Sequence, residues 1–373
     1  MTEMTDRLVA GQFPDSRHNC LREVQAAHSA YGASRRGRDR AMTLARHKTL
    51  IAVAAAVLLA GLVAGSYIAL RHDRQVTGAA APSPSPSTVA QLRSPFTGEP
   101  VPSLNRVLAV KIDNIVNARP QTGLARADIV YVLPVEGGLS RLMAIFSSRY
   151  PPVVGPVRSA REDDLQLLRQ FGRPAFAYSG ATPRLLPYIH RTARIVDLYA
   201  GRTSGYYRDL SRIAPYNLYA RTRQLLSQAP GASTAHDIGF RFGPPPAGGN
   251  VTRSVSVSYP SASFRFTWSA PKGRWLVSMD GTRAVTASGV RLSAATVVIQ
   301  HTTVRTSRFK EYGFRPPFAE STGSGTTLVL RDGRAWAGHW SRPTANGGTT
   351  FTTASGRPMT FARGQVWVVL TRR

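Results

Sequence analysis

Hydrophobic positions fall into three regimes along the chain. From Thr49 to Leu70 they form one uncharged run, TLIAVAAAVLLAGLVAGSYIAL. A helix of that length, rising about 1.5 Å per residue, crosses a hydrocarbon core about 30 Å thick. Arg46, His47 and Lys48 precede the run, with Arg35, Arg36, Arg38 and Arg40 further upstream, whereas Arg71, His72, Asp73 and Arg74 beyond it nearly balance. The positive-inside rule then keeps the N-terminus in the cytoplasm and places everything after the run outside. A start at Met42 would instead leave a short basic region, an apolar stretch and small residues from Ala64 to Ser66, the layout of a cleaved signal peptide. The stretch is long for a signal core and for a buried soluble helix, so an uncleaved single-pass anchor in the cell membrane is the expectation.

The second regime alternates short apolar runs with helical periodicity. VLAVKI (107–112), DIVYVLPV (128–135) and LMAIF (142–146) read as strands, with EGGLS as the turn of a hairpin. EDDLQLLRQF (162–171) reads as a helix whose first turn carries three acids, where they complement the helix dipole. Strand AFAY (175–178) and helices PRLLPYI (183–189) and ARTRQLLSQ (220–228) follow. In the third regime the helical signal disappears: SVSVSY, SFRFTW, RWLVSM, ATVVIQ, TLVLRDG and QVWVVL are separated by Gly, Ser and Pro turns. The expected organisation is a disordered cytoplasmic tail (1–48), a transmembrane helix (49–70) and a Pro/Ser linker (71–92). An α/β or α+β sheet domain (93–242), a Pro/Gly hinge (243–250) and a small all-β domain (251–373) follow.

Charge changes the picture less than its size suggests. The net charge of +28 would point to nucleic acid in a cytoplasmic protein, but export excludes that partner. Beyond Arg93 there are 36 Lys plus Arg against 14 Asp plus Glu, a surplus of 22 carried almost wholly by arginine. Such a surface suits anionic partners such as phospholipid, wall polymer or a phosphorylated lipid carrier. The single cysteine, Cys20, precedes the apolar run, so it forms no intrachain disulfide and is not placed for lipidation.

Familiar catalytic and metal signatures are missing: there is no G-x-S-x-G, H-E-x-x-H, paired CxxC or Walker loop. Beyond the apolar run's flank, only His190, His236, His301 and His339 remain, without ligand spacing. No cofactor is therefore expected. Polar residues gather instead at strand ends and loops between Asp113 and Arg161, where sheet domains place ligand groups. A ligand site built from Asp113, Asn114, Arg119, Gln121, Glu136, Arg158, Ser159 and Arg161 is expected, with Arg158 and Arg161 of GPVRSAR offering planar forks to phosphate or carboxylate. The competing reading is an internal ion-pair network, with Arg158 or Arg161 paired to Asp163 or Asp164.

These residues lie within motifs that resemble the YerB-like family of bacterial envelope proteins. SPFTGEP (94–100), RVLAVKIDN (106–114), ARPQTGLARADIVYVLPVEGGLSR (118–141), GPVRSAR (155–161), YSGATP (178–183) and APYNLY (214–219) resemble its first domain. GSGTTLVLRDGRAWAGHW (323–340) and GQVWVVL (364–370) resemble its second. The resemblance implies two domains on a membrane-attached, outward-facing protein, with no activity attached. Relatives often carry glutamate where this chain has Val132 and histidine where it has Tyr216. Many relatives are lipoproteins, whereas here a helix anchor is expected in place of the lipid.

A looser resemblance, in layout more than in residues, is to the LytR-CpsA-Psr phosphotransferases, where a strand pair leads to arginines that hold a polyprenyl pyrophosphate. The usual Arg-Asp pair is only approximated by Arg161, Glu162 and Asp163. Two functional readings therefore stand. One is an envelope protein binding an anionic wall or lipid-carrier ligand, or an envelope protein partner. The other is a phospho-glycan transferase with Arg158 and Arg161 on pyrophosphate and Asp113 or Asp128 on Mg²⁺.

Overall fold

The computed structural model describes residues 91–372 apart from 192–193 and 311–312, all within one compact unit spanning Thr88–Arg373. The apolar run 49–70, the tail before it and most of the linker lie outside the described residues. Among the described residues no helix is long and apolar enough to cross a membrane.

The fold is sheet-rich. Its main strands are β1 (Leu108–Asp113), β2 (Ile129–Pro134), β3 (Ser140–Phe146), β4 (Ala175–Tyr178) and β5 (Val196–Tyr199), then β6 (Ser254–Tyr259), β7 (Ala262–Ser269) and β8 (Arg274–Met279). They continue as β9 (Thr296–Thr302), β10 (Gly323–Arg331), β11 (Arg334–Arg342), β12 (Thr350–Thr353) and β13 (Val366–Arg372). Three short helices, α1 (Glu162–Leu168), α2 (Leu185–Arg191) and α3 (Thr222–Ser227), all precede residue 243. Pro187 is tolerated in α2 because it sits in the first turn, where its missing N–H has no partner to lose.

One large sheet runs in the order β12-β11-β10-β9-β13-β2-β3-β1-β4-β5. The segments expected as separate domains, 93–242 and 251–373, therefore meet inside one sheet, where β13 lies parallel to both β9 and β2. The 243–250 stretch is fastened to the later segment: Arg331 Nη1 donates to Gly243 O at 3.0 Å, Arg334 Nη1 to Gly249 O at 2.8 Å, and Asn250–Val251 pairs with β11.

The central strands are apolar on both sides, as strands covered on both faces must be. Along β2, Val130 and Val132 face one core while Ile129, Tyr131 and Leu133 face the other. The first core is closed by α3 and by a second sheet built on β6, β7 and β8, through Phe264, Phe266, Trp275 and Val277. The second is closed by α1 and α2 through Leu167, Leu168, Leu185 and Ile189. The turn between β2 and β3 must be glycine-rich: Gly138 has φ +70°, and a Cβ there would come within 2.5 Å of Pro260.

Candidate functional site

β1 and β2 both run antiparallel to β3, so their C-terminal ends, at Asp113 and Pro134, share one edge of the sheet. The loop carrying Arg158 returns to this edge, where Arg158 N donates to Lys111 O at 2.8 Å. The result is a cavity of about 420 Å³ lined in part by Asp113, Glu136, Ser140, Arg141, Arg158, Arg161 and Tyr216. Four of the eight expected site residues, Asp113, Glu136, Arg158 and Arg161, reach it.

The other four do different work. Asn114 and Gln121 are buried beneath the rim: Asn114 Nδ2 donates to Ser140 Oγ at 2.9 Å, and Gln121 Nε2 to Asn114 Oδ1 at 3.1 Å. Arg119 is a tie across the sequence, donating through Nη2 to Asn114 O at 2.7 Å and to Asp280 Oδ2 at 2.8 Å. Ser159 accepts from Arg141 Nη1 at its carbonyl, 3.1 Å away, and its hydroxyl lies 3.4 Å from Ser179 Oγ.

Both arginines of GPVRSAR face acids, but not Asp163 or Asp164 through their side chains. Arg161, with only 3% of its side chain exposed, grips Glu136 through Nε at 2.5 Å and Nη2 at 3.0 Å. Its backbone N–H donates to Asp164 Oδ2 at 2.7 Å, which caps α1. Arg158 Nε lies 2.9 Å from Asp113 Oδ2, with 25% of the arginine side chain exposed. That N–H is not aimed along the contact, so the pair is ionic and neither atom has a hydrogen-bond partner among the described residues. Arg158 also sits over the Tyr216 ring, 5.6 Å from its centroid.

Among the cavity residues outside the expected set, Arg141 and Tyr216 carry the most chemistry. Arg141 follows a buried serine in β3 and is itself buried; burial first, then the nearby Arg161, push its guanidinium down to about 10. Three arginines thus crowd two carboxylates, leaving one positive charge uncompensated. Tyr216, from APYNLY, lines the cavity, so the departure from histidine falls on the site. Val132, the other departure, is fully buried in the core.

Beneath the rim, Lys111 Nζ and Asp164 Oδ1 lie 2.5 Å apart with neither side chain exposed. The three acids of α1 hold neighbouring chain rather than a ligand. Glu162 accepts from Ser307 Oγ at 2.6 Å and pairs with Arg308, while Asp163 accepts from Ala319 N at 3.4 Å.

The donor set does not build a magnesium site. Asp113 Oδ1 accepts from Asn114 N at 2.8 Å and its Oδ2 faces Arg158. Asp128 precedes β2, at the opposite edge of the sheet from Asp113, and its Oδ2 accepts from Ser147 N and Ser148 N at 2.6 and 2.8 Å. Among the described residues no three His, Cys, Asp or Glu side chains gather as metal ligands.

A second cavity of about 710 Å³ adjoins the first, sharing Val135, Glu136 and Phe314. Its wall is largely apolar, with Pro134, Tyr259, Pro260, Val304 and Pro317.

Comparison with known proteins agrees with this architecture. The profile of the protein of unknown function (DUF3048) N-terminal domain matches residues 96–235, and that of the DUF3048 C-terminal domain matches 255–368. Putative lipoprotein YerB of Bacillus subtilis is 43% identical over 101 residues, a stretch covering 26% of this chain and 30% of that protein. The crystal structure of YerB from Bacillus subtilis shares the fold, with a TM-score of 0.66 over 76% of this chain and 97% of that one, at 23% identity. With both domain profiles matched in order, the chain belongs to the YerB-like, DUF3048 family of proteins of unknown function.

Proposed function

We propose that this protein is a membrane-attached, outward-facing component of the bacterial cell envelope, and that the cavity at the ends of β1 and β2 binds the anionic head of a lipid-linked ligand. A putative lipoprotein among its relatives supports attachment to the envelope, and the apolar run 49–70 supports a single-pass anchor as the means.

Arg158 carries the reading. Its guanidinium is held at the cavity by Asp113 and Tyr216, yet its side chain makes no hydrogen bond to the described residues. A planar fork with unused donors, in a cavity that already holds one excess positive charge, suits phosphate or carboxylate. The adjoining apolar cavity favours a lipid carrier over a free wall polymer, because a hydrocarbon chain leaving the head group would be buried there. The transferase reading requires a magnesium site that Asp113 and Asp128 do not form, so the proposal is one of binding.

The test is co-sedimentation of residues 88–373, the compact unit without the apolar run, with phosphatidylcholine vesicles, with and without a polyprenyl phosphate. Losing hydrogen bonds to a charged group costs about 1.5–3 kcal/mol, so Arg158→Ala should weaken retention on the polyprenyl phosphate vesicles roughly tenfold or more. Equal retention of wild type on both vesicle types would defeat the proposal.

A further inference from the structure

A second concentration of charge lies away from this cavity, in a groove of about 740 Å³ between α1, the end of α2 and the paired strands Val304–Thr306 and Pro317–Ala319. Five arginines line it: Arg169, Arg191, Arg194, Arg305 and Arg308. Two acids offset them. Arg308 Nε lies 2.5 Å from Glu162 Oε1, and Arg305 Nε lies 2.6 Å from Glu320 Oε1. The side chain of Arg169 donates to an uncharged amide, Asn346 Oδ1, at 3.0 Å, and forms no ion pair with the described residues. Arg191 and Arg194 are exposed and form no ion pair with the described residues.

Like charges lining a concave wall repel one another, and a bound polyanion relieves that cost. The groove is also preorganised. Arg305 packs over Phe318 at 3.7 Å from the ring centroid and Arg308 over Tyr188 at 4.7 Å, so both planar forks are oriented before any ligand arrives. The cavity is far larger than one phosphate, so its ligand carries several anionic groups. Every cation there is an arginine, whose rigid fork matches tetrahedral phosphate oxygens in pairs. We infer that this groove is a second binding site, independent of the cavity beside Arg158, for a chain of linked phosphate groups.

Sodium tripolyphosphate is the probe, titrated calorimetrically into the purified full-length chain at low ionic strength. Arg169→Ala/Arg191→Ala/Arg194→Ala removes three charges without breaking an ion pair. Arg223→Ala/Arg253→Ala/Arg265→Ala removes three exposed charges elsewhere and controls for net charge. The groove variant should lose roughly tenfold or more in affinity, while the control stays within about twofold of wild type. No heat with wild type, equal losses in the two triple variants, or loss in Arg158→Ala alone would each overturn the site. Tighter binding of polyglutamate than of tripolyphosphate would overturn the assignment to phosphate.

Discussion

Arg161 clasps Glu136 with two nitrogens, at 2.5 and 3.0 Å, while Arg158, three residues earlier, touches Asp113 without a hydrogen bond. One sequence motif thus supplies both a doubly bonded, buried arginine and a partly exposed one whose side chain makes no hydrogen bond to the described residues. Removing one partner of a buried pair costs about 3–5 kcal/mol, and the partial exposure of Glu136 puts Arg161→Ala near the lower end. Arg158→Ala loses a single unaligned contact but leaves the buried Asp113 Oδ2 without its partner, so it should cost less, about 1–3 kcal/mol. Urea denaturation of both variants beside the vesicle assay checks the split. If Arg158→Ala unfolds as readily as Arg161→Ala, the free guanidinium is part of the scaffold.

The Lys111–Asp164 pair fastens the start of α1 to the middle of the sheet with no access to water. Lys111→Met alone leaves a buried carboxylate uncompensated and should cost about 3–5 kcal/mol. Lys111→Met with Asp164→Asn keeps an acceptor for Arg161 N–H and removes both charges, so most of that loss should return. A double variant as unstable as the single one would show that the pair itself, and not the orphaned charge, sets the cost.

Strands and short helices were largely legible because their apolar patterns were long and locally punctuated. AFAY and SVSVSY match β4 and β6 residue for residue. β11 was missed as a strand although Asp332 and Gly333, with φ of +48° and +72°, form the Asp-Gly hairpin turn that joins it to β10. The candidate site was half legible. Strand ends marked Asp113 and Glu136, but Tyr216 arrives from a loop about a hundred residues away, and Arg141 sits within a strand that reads as core. Arg119 was read as a ligand group because its acid, Asp280, is 161 positions distant in sequence. Long-range pairing of this kind leaves no local signal.

The union of the two segments in one sheet has a mechanical consequence. β2 and β13 pair in parallel from Ile129↔Val366 to Val132↔Val369 at the centre of the fold. Cleavage at 243–250 should therefore leave one particle on size exclusion and one cooperative thermal transition, since the cut leaves the β2–β13 ladder intact. A fragment ending at residue 242 would expose the apolar edge of β2 and should aggregate. Separation of two folded pieces after nicking would show that the β2–β13 ladder is dispensable.

Asp163 gives the fold a predictable response to pH. The side chain is buried, its Oδ1 has no hydrogen-bond partner among the described residues, and burial together with the adjacent Asp164 raises its carboxyl to about 7. An unfolded chain returns it to the ordinary range near 4, so between about pH 4 and 7 the folded state holds more protons than the unfolded one. Stability on this account is greatest below pH 4 and declines as pH rises to about 7. Asp163→Asn is neutral at every pH and nearly isosteric, so it should flatten that decline and stabilise the protein most at pH 8. Melting temperatures of the two proteins across pH 4–8 check this; parallel curves would mean that Asp163 stays ionised in the folded state throughout.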